Sequence, residues 1–272
     1  MSQMIPVADG VELFVEDAGS GEPVVFIPGW TCTTRFFKHQ MPHVAATRRF
    51  VAYAPRSHGR STKTLEGNTF TERARDLAAL LEALDLTDVT LVGWSFGAYD
   101  ALAYLRDHGF ERTGRLVICD EPPKAPIEED GQWGEFPPPP DARLGVVRPA
   151  LDDRLGFWPA YAQSMIGVDE DQTPETNPEI AEIVAEGMLT PDAAAYTSLF
   201  DGAHSDFTDI AAEAAHTIPT LVMAREDWAD DAERWTTTHM PGADFERITL
   251  HMGFWAHPTE FNATLDGFLD RR

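Results

Sequence analysis

Apolar and polar residues alternate over positions 11–16 (VELFVE), the period of a strand with one wet face. At 23–27 (PVVFI) alternation gives way to an unbroken apolar run. That suits a strand buried on both faces, and Pro28-Gly29 stops it. Residues 49–54 (RFVAYA) repeat the pattern and end at Pro55. The period then lengthens. Over 71–84 (TERARDLAALLEAL), Ala74, Leu77, Leu81 and Leu84 fall on one helical stripe. Thr71 is the expected N-cap, and Glu72 is an acid in the first turn, where the helix dipole favours it. A strand at 89–92, a helix at 95–108 and a buried strand at 115–119 (RLVIC) follow.

Strand and helix thus take turns, which predicts an α/β protein with a mostly parallel, doubly wound sheet. The rhythm breaks at Glu121. From there to Ser205 no strong strand pattern is found and proline is dense. The run 137–140 (PPPP) predicts polyproline II, and short helical pieces such as 178–187 follow. Strand patterns return at 220–224 (TLVMA) and 244–249 (DFERIT), and a helix at 259–269 closes the chain. Residues 121–205 therefore read as a mainly helical cap inserted into a core made of 1–120 and 206–272.

The chain has 272 residues, 43% of them apolar, enough for one large core. Its 45 acidic and 21 basic residues give a net charge of −24. That argues against nucleic acid or an anionic membrane as partner. Cys32 and Cys119 are too few for a disulfide framework and read as reduced thiols. The first ten residues lack the basic and apolar regions of a secretory signal, and no window approaches 18 uninterrupted apolar residues. A cytoplasmic protein is expected. A homodimer is compatible with the sequence, which does not fix the oligomeric state.

The chemistry begins in LVGWSFGAYDAL, residues 91–102. Gly93-Trp94-Ser95-Phe96-Gly97 is a Gly-x-Ser-x-Gly pentad between a strand pattern and a helix pattern, the context a nucleophile elbow requires. A serine hydroxyl also needs a base and a third group to orient that base. FIPGWTC at 26–32 and RSHGRS at 56–61 each follow a strand. The second reads as a structural turn, and its His58 as no base.

Taken in order, the Pro-Gly-Trp loop, the RSHGRS turn, the serine elbow, the insertion, a late acid and a late histidine resemble the α/β-hydrolase superfamily over essentially the whole chain. The nearest likeness is to its serine esterase, lactonase and cofactor-free haloperoxidase branches. Pro28 departs from the usual His of the His-Gly loop, and Ala54 from a common Asp. The resemblance implies an oxyanion hole from the backbone N–H groups of Trp30 and Phe96, with no cofactor or metal. It implies His251 as base, because relatives place that residue about seven positions before a helix-starting proline, here Pro258. His257 is left as a loop or capping group. Two acids compete. Asp227 lies in the loop that usually holds the acid, one residue short of the usual spacing. Asp120 ends RLVIC, where some relatives carry it. The residues leave both open.

The cap is rich in large apolar groups, among them Phe136, Trp158 and Tyr161. With Trp94 and Phe254 as floor, they are expected to bind a hydrophobic small molecule. The leading function is hydrolysis of a carboxylic ester or lactone through an acyl-enzyme on Ser95. A second likeness is to cofactor-free dioxygenases that cleave 3-hydroxy-4-quinolone rings, where a His251–Asp120 dyad would act as base. Cys32 departs from that pattern, which has histidine there.

Overall fold

The computed structural model describes residues 1–128, 132–136 and 140–271, with 140–144 and 146 as backbone only. In chain order the elements are β1 (Ser2–Ala8), β2 (Val11–Gly19), β3 (Pro23–Ile27), α1 (Gln40–Val44), β4 (Arg49–Tyr53), α2 (Phe70–Ala83), β5 (Val89–Trp94), α3 (Phe96–His108) and β6 (Thr113–Cys119). Five helices follow before the next strand: α4 (Pro140–Asp152), α5 (Arg154–Ile166), α6 (Pro178–Gly187), α7 (Asp192–Gly202) and α8 (Thr208–Thr217). Then come β7 (Thr220–Arg225), α9 (Ala229–His239), β8 (Asp244–Ile248), α10 (Gly253–Ala256) and α11 (Pro258–Leu269).

The eight strands form one sheet in the order β1-β2-β4-β3-β5-β6-β7-β8. β1–β2 and β2–β4 pair antiparallel, and every pair from β4–β3 to β7–β8 is parallel. The unbroken apolar runs are the central strands: all six residues of β5 are buried. Helices supply the second cover that such strands need. No helix among the described residues is long and apolar enough to cross a membrane.

Three local expectations are corrected. β1 went unforeseen because it is an edge strand, mostly exposed and interrupted by Pro6, with no apolar run to announce it. Helix α2 starts earlier than the pattern suggests. Thr69, in extended conformation, is its N-cap and accepts from the Glu72 N–H (3.5 Å), which leaves Thr71 inside the first turn. The inserted segment holds two longer helices, α4 and α5, which the sequence hides behind the internal prolines Pro149 and Pro159. Of the expected polyproline run, 137–139 lie outside the described residues and Pro140 begins α4.

The RSHGRS turn knits the core beside the sheet. Arg56 is buried and grips both carboxylate oxygens of Asp76 on α2 (Nε 2.6 Å, Nη2 2.5 Å). Ser61 Oγ accepts from Phe14 N–H and donates to Ala54 O.

Candidate active site

Four neighbouring strands deliver the candidate groups at their C-terminal ends, where open α/β sheets place their sites. Ser95 follows β5, Asp120 follows β6, Arg225 ends β7, and His251 follows β8. The register makes them neighbours, since Trp94 pairs with Cys119 and Cys119 with Met223. Backbone bonds from Ser95 N–H to Cys119 O (2.9 Å) and from Asp120 N–H to Met223 O (2.8 Å) continue the ladder into the site.

Ser95 is the strand-to-helix corner, with φ 52° and ψ −135°. Such a conformation costs a non-glycine residue about 1–3 kcal/mol. Two glycines make the corner fit. A Cβ on Gly93 would lie 2.5 Å from Ala98 Cα, and one on Gly97 would collide with Ile27 O. The sheet and α3 therefore touch at those positions through backbone alone. Thr31 (φ 56°), in the loop after β3, and Asp120 (φ 55°), just past β6, also have positive φ.

His251 and Asp120 meet directly, Nδ1 to Oδ2 at 2.6 Å, and Asp120 is wholly buried. The other Asp120 oxygen accepts from the Arg225 N–H (2.8 Å) and from Trp228 Nε1 (2.8 Å). Arg225 Nη1 adds a contact to Oδ2 at 2.9 Å. Burial alone would push this carboxyl up. The hydrogen bond from His251 and the charges of His251 and Arg225 overcome it and hold Asp120 below the usual carboxylate range. Asp227 points elsewhere: its side chain is 71% exposed and pairs with Arg225 Nε at 2.9 Å. Among the described residues no hydrogen bond joins Ser95 Oγ to His251. Trp94 braces His251 from behind, its Nε1 donating to His251 O (2.8 Å).

The backbone N–H groups of Trp30 and Phe96 have no acceptor among the described residues. The loop carrying Trp30 is fixed from both sides. Thr31 N–H donates to His58 Nε2 (3.1 Å), so the His58 proton resides on Nδ1, which donates to Arg56 O (2.9 Å). Burial pushes His58 well below its ordinary range, which keeps it neutral in this bracing role. On the other side, Trp30 Nε1 donates to Ala195 O on α7 (2.8 Å), and its ring stacks on Trp158 of α5.

Ser95, Trp30 and Phe96 open into a cavity of 390 Å³ that residues between β6 and β7 complete, Phe136 and Tyr161 among them. Trp94, Trp158 and Phe254 do not line it, against expectation. Phe254 is buried between Phe37 and Trp94, and Trp158 is wedged between the Trp30 ring and Gly187, whose missing side chain makes room for it. Each spends its apolar surface on packing before it reaches the cavity. Arg225, Trp228 and Glu135 were not foreseen at the site. Arg225 carried one signal, its place at the end of a buried strand. Glu135 carried none, because 121–136 has no periodicity to locate it. Burial raises the carboxyls of both Glu135 and neighbouring Glu121.

A model of the α/β hydrolase family matches residues 24–264. The non-heme chloroperoxidase of Kitasatospora aureofaciens is 32% identical over 228 residues, 80% of this chain and 78% of its own length. The bromoperoxidase from Bacillus anthracis shares the fold with a TM-score of 0.87, at 26% identity, over 100% of both chains. An esterase from Exiguobacterium antarcticum is similar in fold (TM-score 0.86, 24% identity, 100% of both chains). The chain belongs to the α/β hydrolase family, as an enzyme of its esterase and non-heme haloperoxidase-like branch.

Proposed function

We propose that the chain is a serine hydrolase that cleaves a carboxylic ester or lactone of a hydrophobic small molecule. Ser95 Oγ attacks the carbonyl carbon while His251 takes its proton. The Trp30 and Phe96 N–H groups hold the oxyanion. As the carbon–oxygen bond to the alcohol breaks, His251 returns the proton to the departing oxygen. Water, activated by the same base, then releases the acid and restores Ser95. Asp120 keeps the imidazole in the tautomer that accepts on Nε2 and stabilises it once charged.

The observation that carries this reading is the corner at Ser95: a non-glycine residue at φ 52° between a buried strand and a helix, open to a cavity. The His251–Asp120 pair would serve ring-cleaving dioxygenation equally well, but the strained serine has no work in that chemistry. Cys32, where that pattern has histidine, is a buried thiol donating to Trp30 O (3.3 Å). The relatives lend the dioxygenase alternative no support.

A fluorophosphonate probe is expected to label Ser95, with turnover of a short p-nitrophenyl ester. In Ser95→Ala both vanish, kcat falling by about 10⁶-fold. Ester turnover that survives the substitution overturns the reading.

A further inference from the structure

His251 stands among more acids than the reaction uses. Asp120, past the end of β6, is hydrogen-bonded to its ring. The titratable side chains that share a recess of 290 Å³ with it are Glu135, Tyr161 of α5, Arg225 and Asp227. Glu121, wholly buried, repels both Asp120 and Glu135. Trp94 of β5 packs against the ring, and α10, Gly253–Ala256, adds no titratable group. Arg225 is thus the one cation facing His251 among the described residues.

A histidine set among carboxylates alone would hold a proton, and a protonated imidazole cannot take one from Ser95. Burial pushes Glu121 and Tyr161 well above their ordinary ranges, so both stay neutral. Asp120 is held ionised, and the Glu135 carboxyl attracts a charge on His251. Arg225 opposes that surplus from a fixed place. Its Nη1 meets Asp120 Oδ2 at 2.9 Å, and its Nε meets Asp227 Oδ1 at 2.9 Å. The guanidinium lies 3.5 Å from the centroid of the Trp228 ring. So held, Nη1 stands 3.4 Å from His251 Nδ1. Both nitrogens carry hydrogens while Nδ1 donates to Asp120, so this approach is one of charge and not a hydrogen bond.

We propose that Arg225 is a positioning residue that keeps His251 available as a base: it aims Asp120 at Nδ1 and opposes protonation of the ring by the acids around it. The inference rests on the hydrolase reading above. The two duties are separable. Aiming needs the planar fork, which reaches Asp120 and Asp227 at once, whereas opposing protonation needs only a positive charge.

The acid limb of kcat/KM for a p-nitrophenyl ester reports protonation of the base in the free enzyme. In Arg225→Gln that limb is expected to move to higher pH by about one unit or more. The plateau kcat is expected to fall by about tenfold as Asp120 loosens. In Arg225→Lys the limb is expected to stay within about half a unit of the unaltered enzyme, while the plateau still falls. Arg225→Met serves the first comparison where the glutamine variant does not fold. A limb that stays in place in the uncharged variant, with rate lost evenly at every pH, marks a merely structural residue and overturns the inference. So does a limb that moves as far in Arg225→Lys. Absence of both ester turnover and fluorophosphonate labelling in the unaltered enzyme removes the hydrolase reading itself, and the inference with it.

Discussion

Asp120 accepts four hydrogen bonds on two oxygens with no exposed surface, whereas Asp227 makes one ion pair in water. Exposed pairs are worth little, and a buried orienting carboxylate is worth much. Asp120→Asn is therefore expected to lower kcat by about 10⁴-fold, because the base loses its tautomer. Asp227→Asn is expected to leave kcat within about threefold. Steady-state kinetics on the two variants check this, and a large loss in Asp227→Asn would reverse the assignment. The ambiguity between them is inherent in the sequence. Both are aspartates at or just past the C-terminal end of a buried parallel strand. What separates them is the direction each faces, and that depends on sheet register and on φ 55° at Asp120, which no local pattern records. The turn at Ser95 was legible because it leaves glycines in fixed places.

Among the elements, α6 bears on the loop that carries Trp30. Glu182 pairs with Arg35 (2.6 Å) and Lys38 (2.6 Å), and Glu186 accepts from Thr33 Oγ1 (2.6 Å). Thr190 Oγ1 reaches Thr31 O (3.2 Å). Helix α6 is thus latched to the segment 31–38 largely by half-exposed polar contacts, each worth about 1 kcal/mol or less. The double variant Glu182→Ala/Glu186→Ala is expected to be cut within the cap about fivefold faster under limited proteolysis, with the sheet core intact. Unchanged cleavage would mean that apolar packing alone holds the cap. The latch was not legible, because only the fold brings together partners 144–159 positions apart. The strands with continuous apolar runs were legible because their signal is local. β1 and the cap helices depend on neighbours that the sequence does not name.

Across the whole molecule, the 24 excess negative charges sit on a core that itself buries acids. Asp100 on α3 is wholly buried against Arg73 of α2 (2.6 Å), and burial pushes its carboxyl up to about 7. An acid raised on folding binds more protons folded than unfolded. Its contribution is complete below about pH 4 and is lost as pH rises through 7. Asp120, held low, acts in the opposite sense, losing its contribution as pH falls. Urea unfolding at pH 5 and pH 8 is expected to show that Asp100→Asn gains on the unaltered protein by on the order of 2 kcal/mol between those two values. A gap independent of pH would refute this.

The backbone corners at Thr31, Ser95 and Asp120 carry a consequence for the protein's history. Any drift toward a more relaxed turn at these three places would be rewarded by greater robustness to heat and mutation, and penalised only through lost turnover. Selection for durability and selection for chemistry would pull in opposite directions at such corners. A lineage freed from its reaction would be expected to straighten these corners first.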